Sequence, residues 1–157
     1  MTKFNVTRHV PLNADQAFEV AADITKYSEF VPLVRKSTIA NVQTHPDGRN
    51  EFDANLTISY KKLGISDVLT SRVAVDPKAR TVTATANEGL VSHLVTEWKV
   101  TPGVNGGSEV HFNVDYTLKS RSLQFLMSGL FDLMVRKIMT SFEERARKLY
   151  SGTGAAA

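Results

Sequence analysis

The chain has 157 residues, 42% of them apolar and 22% charged, which suits one globular domain with a substantial core and excludes disordered or fibrous classes. It contains no cysteine, so disulfides, thiolate catalysis and Cys-ligated metals are excluded and a reducing compartment is permitted. The formal net charge is +3. No run of about 18 apolar residues is available to span a bilayer, and the opening MTKFNVTRHV lacks the apolar centre of a signal peptide.

Lys3–Val10 sets Phe4 and Val6 against Lys3, Asn5 and Thr7, which reads as a strand with one buried face, ended by Pro11. Asn13 followed by Gln16 is a capping-box pattern, so a helix is expected over Ala14–Ile24 with Ala17, Phe18, Ala21 and Ala22 inward. Asp23–Phe30 reads as a short second helix or turn, and Pro32 forces Val31 to be extended. Val34–Thr44 is a weakly alternating strand before the turn residues His45-Pro46-Asp47-Gly48.

Glu51–Lys62 alternates cleanly, with Phe52, Ala54, Leu56, Ile58 and Tyr60 on one face. Strands are expected at Ile65–Asp76, at Arg80–Asn87 and at Ser92–Thr101, the last grouping Leu94, Thr96, Trp98 and Val100. Asn105-Gly106-Gly107 marks a hairpin. Glu109–Lys119 then groups Val110, Phe112, Val114, Tyr116 and Leu118. The order β, α, short α, six strands, long α predicts an antiparallel meander around the last helix.

That helix is expected over Ser120–Tyr150, where Leu123, Met127, Leu130, Met134, Ile138, Phe142, Ala146 and Leu149 form one apolar face. Its first half, including Phe125, Leu126, Met127, Leu130, Phe131, Leu133, Met134 and Val135, is apolar nearly all round. Such a helix is either wrapped by the sheet or partly lines a cavity or a membrane surface. From Lys119 onward 7 basic and 3 acidic residues give +4, whereas the rest of the chain, with 12 basic and 13 acidic, gives −1. The positive excess on an apolar helix favours an anionic surface, lipid or RNA, or else is a solvated helix face.

No established catalytic or cofactor motif is present. The four histidines, His9, His45, His93 and His111, lack ligand spacing, so no metal site is expected. There is no GxSxG, GxxxxGK[ST] or GxGxxG sequence. A cavity enzyme could use Tyr60, Tyr116, Arg72 or Glu97 in acid–base roles, but no acid–base pair is evident. Trp98 is either core or a platform for a ligand. The aromatics of the basic helix lie with its apolar residues, which weakens an RNA-stacking reading.

Several stretches carry a resemblance: Asp23-Ile24-x-x-Tyr27-x-x-Phe30-Val31-Pro32, Leu69-Thr70-Ser71-Arg72-Val73, His93-Leu94-x-Thr96-x-Trp98, Val114-Asp115-Tyr116, Ser122-Leu123-Gln124, Gly129-Leu130-Phe131-Asp132, and Ser141-Phe142-Glu143-x-Arg145-Ala146-x-x-Leu149-Tyr150. In this order they resemble the coenzyme Q-binding START-domain family, a branch of the polyketide-cyclase-like helix-grip superfamily, over roughly Thr2 to Ser151. Two positions depart from the family pattern: Leu69 replaces a Tyr and Val34 a Cys.

The resemblance implies an α+β helix-grip (START/Bet v 1-like) fold: a seven-stranded antiparallel sheet around the C-terminal helix, with two short helices after strand one. Residues 1–151 would form the domain and 152–157 a flexible tail. It further implies a lipophilic-ligand cavity, with coenzyme Q as ligand, no other cofactor, and respiration or quinone biosynthesis as the setting. Bacterial family members labelled ribosome-association toxins imply a ribosome-contacting alternative, and the superfamily a cyclase- or dehydratase-like one.

Strand parity and the helix face nominate Leu94, Trp98, Phe112, Tyr116, Leu126, Leu130 and Met134 as ligand-binding, and the family motifs add Phe30, Val31, Pro32, Leu69 and Phe131. No catalytic residue is assigned. Lys119, Arg121 and Phe125 are expected to touch a membrane surface, with Tyr27–Leu33 and the helix start forming the ligand's mouth. The expected protein is cytoplasmic and peripheral to the inner membrane, and does not bind DNA.

Overall fold

The computed structural model describes residues 2–29, 34–60, 64–89 and 91–154, with side chains described for all of these except 2, 60, 65, 123, 126–132, 134 and 149–154. In chain order they form β1 (Thr2–Val10), α1 (Ala14–Ala22), a 3-10 helix (Ile24–Glu29), β2 (Val34–Thr44), β3 (Asn50–Tyr60), β4 (Ile65–Asp76), β5 (Thr81–Ala86), β6 (Val91–Pro102), β7 (Ser108–Leu118) and α2 (Arg121–Gly154). The seven strands make one antiparallel sheet in the order β1-β7-β6-β5-β4-β3-β2. β2 to β7 thus form a meander, and β1 closes onto β7.

Local chemistry sets these boundaries. Asn13 caps α1, its side chain accepting from Gln16 N at 2.9 Å while Gln16 Oε1 accepts from Asn13 N at 3.4 Å, which is the expected capping box. The helix stops earlier than Ile24 because Asp23 leaves helical geometry (φ −85°, ψ 74°) and its carboxylate accepts from Thr25 Oγ1 at 3.0 Å. Between β6 and β7, Asn105 (φ 56°) and Gly106 (φ 77°) take the left-handed backbone that Asn-Gly accommodates. The following residue has no room for a side chain. A Cβ on Gly107 would stand 2.8 Å from the Val10 carbonyl oxygen.

The sheet has an inner face, which carries both helices, and a polar outer face. α2 runs for 34 residues, about 51 Å. Its second half buries Val135, Met139, Phe142 and Ala146 against the sheet and α1. Two ion pairs pin that half. Arg8, an inward residue of β1, lies 3.5 Å from Glu143 and donates to Thr140 Oγ1 at 3.2 Å, and Arg145 reaches Glu29 of the 3-10 helix at 3.0 Å. The same 3-10 helix is stitched to β2 by Ser37, whose Oγ donates to the Thr25 carbonyl at 3.0 Å and accepts from Ser28 N at 3.2 Å.

Candidate functional site

Cover over the inner face is uneven. At the end where β1 leads into α1, the inward side chains Phe52, Val73, Val75, Val82, Trp98, Val100, Val110 and Phe112 are all buried. Trp98 contacts Phe112, with ring centroids 4.4 Å apart, and stacks on Phe142 of α2 at 5.1 Å with the planes 28° apart. Toward the other end, where β7 leads into α2, inward residues stay half-buried although they are apolar: Leu56, Ile58, Leu69, Leu94 and Leu118. The register joins them, pairing Leu56 with Leu69, Leu94 with Tyr116, and Val91 with Leu118. Val91 and Tyr116 are buried there.

The nominated residues Leu69, Leu94, Trp98, Phe112 and Tyr116 therefore share the inner face, two of them in the packed Trp98 cluster and Leu69 and Leu94 in the half-buried end. Phe30, Val31 and Pro32 lie outside the described residues. Leu126, Leu130, Phe131 and Met134 belong to α2, and their side chains lie outside the described set, as does that of Tyr60.

Two residues considered for acid–base chemistry point the other way. Arg72 pairs across strands with Asp53 on the outer face, donating to Asp53 Oδ1 at 3.1 Å and to Gln43 Oε1 at 3.3 Å. Asn41, held at φ 54° in an irregularity of β2, donates to Asp53 Oδ2 at 2.7 Å. The Asn41 amide and then the Arg72 guanidinium hold the Asp53 carboxyl below its usual range. Glu97 also faces outward, where its Oε1 accepts from Asn113 Nδ2 at 3.5 Å.

Tyr27, expected at the mouth, is instead buried, and its hydroxyl donates to the Ala21 carbonyl. Burial, and then the nearby Asp23 carboxylate, push its phenol well above the usual value.

The start of α2 is different in character. Phe125 is 82% exposed and Leu133 55%, and Lys119, Arg121 and Lys137 are exposed alongside them. Among the described residues no helix is long and apolar enough to cross a membrane.

Residues 10–143 match the family described as polyketide cyclase / dehydrase and lipid transport. The chain belongs to that family. Among curated relatives, a Xenopus laevis protein named coenzyme Q-binding protein COQ10 homolog B, mitochondrial, is 22% identical over 94% of this chain, which spans 59% of that protein's length. The ribosome association toxin RatA of Escherichia coli is 23% identical, over 96% of this chain and 90% of its own. Among solved structures, the Zhui aromatase/cyclase from Streptomyces sp. R1128 superposes with a TM-score of 0.78 at 17% identity, covering 97% of this chain and 98% of that one. At that identity the likeness is one of fold, and the fold is the START/Bet v 1-like helix grip.

Proposed function

We propose that the protein is a non-enzymatic carrier that holds a polyprenyl quinone, coenzyme Q, between the sheet and the first half of α2. The observation that carries this reading is the half-buried apolar end of the inner face at Leu56, Ile58, Leu69, Leu94 and Leu118. Apolar side chains that turn inward yet keep water contact are suited to a greasy occupant. At about 25 cal/mol per Å² of apolar area removed from water, covering them with an isoprenoid tail is favourable. Family membership and the relative named for coenzyme Q binding support the choice of ligand.

In this reading the carrier works in respiration or quinone biosynthesis and meets the inner membrane peripherally at Lys119, Arg121 and Phe125. An exposed aromatic beside cations suits the headgroup region, and each cation adds about 1 kcal/mol of attraction to an anionic leaflet. Few cations give weak, reversible docking, which a carrier requires. The test is organic extraction of purified protein followed by mass spectrometry. A prenylated quinone in near-stoichiometric amount supports the reading, and protein free of any lipophilic compound after mild purification contradicts it.

A second reading is favoured by the relative named as a ribosome association toxin and by the exposed cations of α2. Salt-dependent co-sedimentation with ribosomal subunits, lost in a Lys137→Glu variant, is its signature.

A further inference from the structure

The half-buried end of the inner face is not uniformly apolar, and its floor is not uniformly tall. Cross-strand pairing sets Val73 opposite Ala84, Ala84 opposite Thr96 and Ala86 opposite Leu94. Extending the same register places Ser71 opposite Ala86. The middle strand of this patch, β5, therefore presents only two methyl groups, Ala84 and Ala86, and both stay half-buried although they face inward. A hydroxyl stands on either side of them, Ser71 on β4 and Thr96 on β6.

Ser71 is 4% exposed, and among the described residues its hydroxyl has no hydrogen-bond partner. The same holds for the Thr96 hydroxyl, on a half-buried side chain. Neither oxygen is among the fully buried atoms left without a partner, so both keep some contact with solvent and are open to an acceptor on a bound molecule.

We infer that Ser71 and Thr96 form a head-group subsite that receives the two oxygens of a neutral, carbonyl-bearing lipid ring lying across Ala84 and Ala86. This rests on the lipophilic-ligand reading above and adds which part of the ligand sits where. The spacing fits. Two inter-strand steps and a two-residue offset separate the hydroxyl-bearing positions by about 12 Å. A six-membered ring with para carbonyl oxygens and a hydrogen bond of about 2.8 Å at each end spans about 11 Å. The floor is low where the ring would lie and rises to Leu56, Leu69 and Leu94 where a tail would leave.

The charge also fits. Arg8 is the one cation among the described inward strand residues, and Thr140 and Glu143 already hold it at the other end. Hydroxyl donors with no cation beside them among the described inward strand residues favour a neutral acceptor over a carboxylate or phosphate head.

The experiment is isothermal titration of the full chain with decylubiquinone and with decylbenzene, which keeps ring and tail but lacks the oxygens. Ser71→Ala and Thr96→Val should each weaken decylubiquinone binding about 3- to 10-fold, and both together more, while decylbenzene changes less than about twofold. The quinone-to-hydrocarbon ratio separates a lost hydrogen bond from general loosening, and unchanged circular dichroism and urea midpoints check the fold. Ala84→Leu gives an independent reading, because a taller floor should exclude both compounds. A folded double variant that binds decylubiquinone within twofold of the parent overturns the subsite and leaves the carrier reading standing. A parent that binds decylbenzene but not decylubiquinone overturns both.

Discussion

Replacing Phe142 by Ala tests whether the Trp98 cluster is what fixes α2 to the sheet. Phe142 is 1% exposed and stacks on Trp98 at 5.1 Å. Losing a buried Phe removes about 2–3 kcal/mol of transfer free energy. The aromatic pair adds about 0.5–1.5 kcal/mol. Val135, Met139 and Ala146 on the same helix are also 0% exposed, so the vacated space is enclosed and a cavity term follows. The expected loss is about 3–5 kcal/mol. Equilibrium urea unfolding followed by far-UV circular dichroism reads it as a midpoint lowered by about 2 M, taking a slope of about 2 kcal/mol/M. Phe125→Ala is the control on the same helix. With 82% of Phe125 exposed, its stability should stay within about 0.5 kcal/mol of the parent. A Phe142→Ala loss below about 1 kcal/mol with an unchanged slope would refute the idea that this cluster anchors the helix.

Gly107→Ala should lower the melting temperature by several degrees in calorimetry, because the new Cβ meets the Val10 carbonyl oxygen at 2.8 Å and backbone on both sides must shift. Asp53 has a depressed folded-state pKa, so its contribution to stability is present above the unfolded value and is lost as pH falls through the folded one. Asp53→Asn should therefore show a shallower acid limb below about pH 4 in unfolding midpoints measured against pH, without altering ligand affinity, since the residue faces outward. Tyr27 has a raised pKa, so its contribution is intact below about pH 10 and is lost as pH rises further, when the unfolded chain ionises and the buried phenol does not. Tyr27→Phe should remove that part of the alkaline destabilisation while lowering stability near neutrality through the unpaired Ala21 carbonyl.

The elements whose two faces meet different solvents were legible in the sequence. β3 and β7 alternate because one side meets the core and the other meets water, and their boundaries fall within a residue or two of the expected ones where the structure describes them. α2 was legible from its unbroken apolar face, although it runs on to Gly154 rather than stopping at Tyr150. β2 alternates only weakly because it is the sheet's edge, mostly exposed, with pairing irregularities after Val34 and after Ala40.

The partner of Arg72 required register. Parity with buried Val73 and Val75 already sets it on the outer face, but spacing within its own strand does not say that Asp53 waits there as its partner. Glu97 was legible by parity, since Thr96 and Trp98 flank it on the inward face, yet its chemistry made it a candidate. Ser71 and Thr96 are not legible as site residues from the sequence, because an apolar cavity is signalled by apolar side chains and theirs are polar. Ser71 also sits in a polar run, Thr70-Ser71-Arg72, that reads as surface. The signal that could have found them is a hydroxyl on an otherwise inward-facing parity next to alanines.

In the proposed carrier a lipophilic ligand occupies the inner face where α2 begins. Intermolecular nuclear Overhauser effects between bound decylubiquinone and assigned methyl groups test this most directly. Contacts are predicted to Leu56, Ile58, Leu94 and Leu118 and to the Ala84 methyl, and none to Val82 or Val100, which lie in the packed end beside Trp98. Contacts confined to the exposed Val42 or Val68, or shifts spread over the outer face, would place the ligand elsewhere and contradict the account.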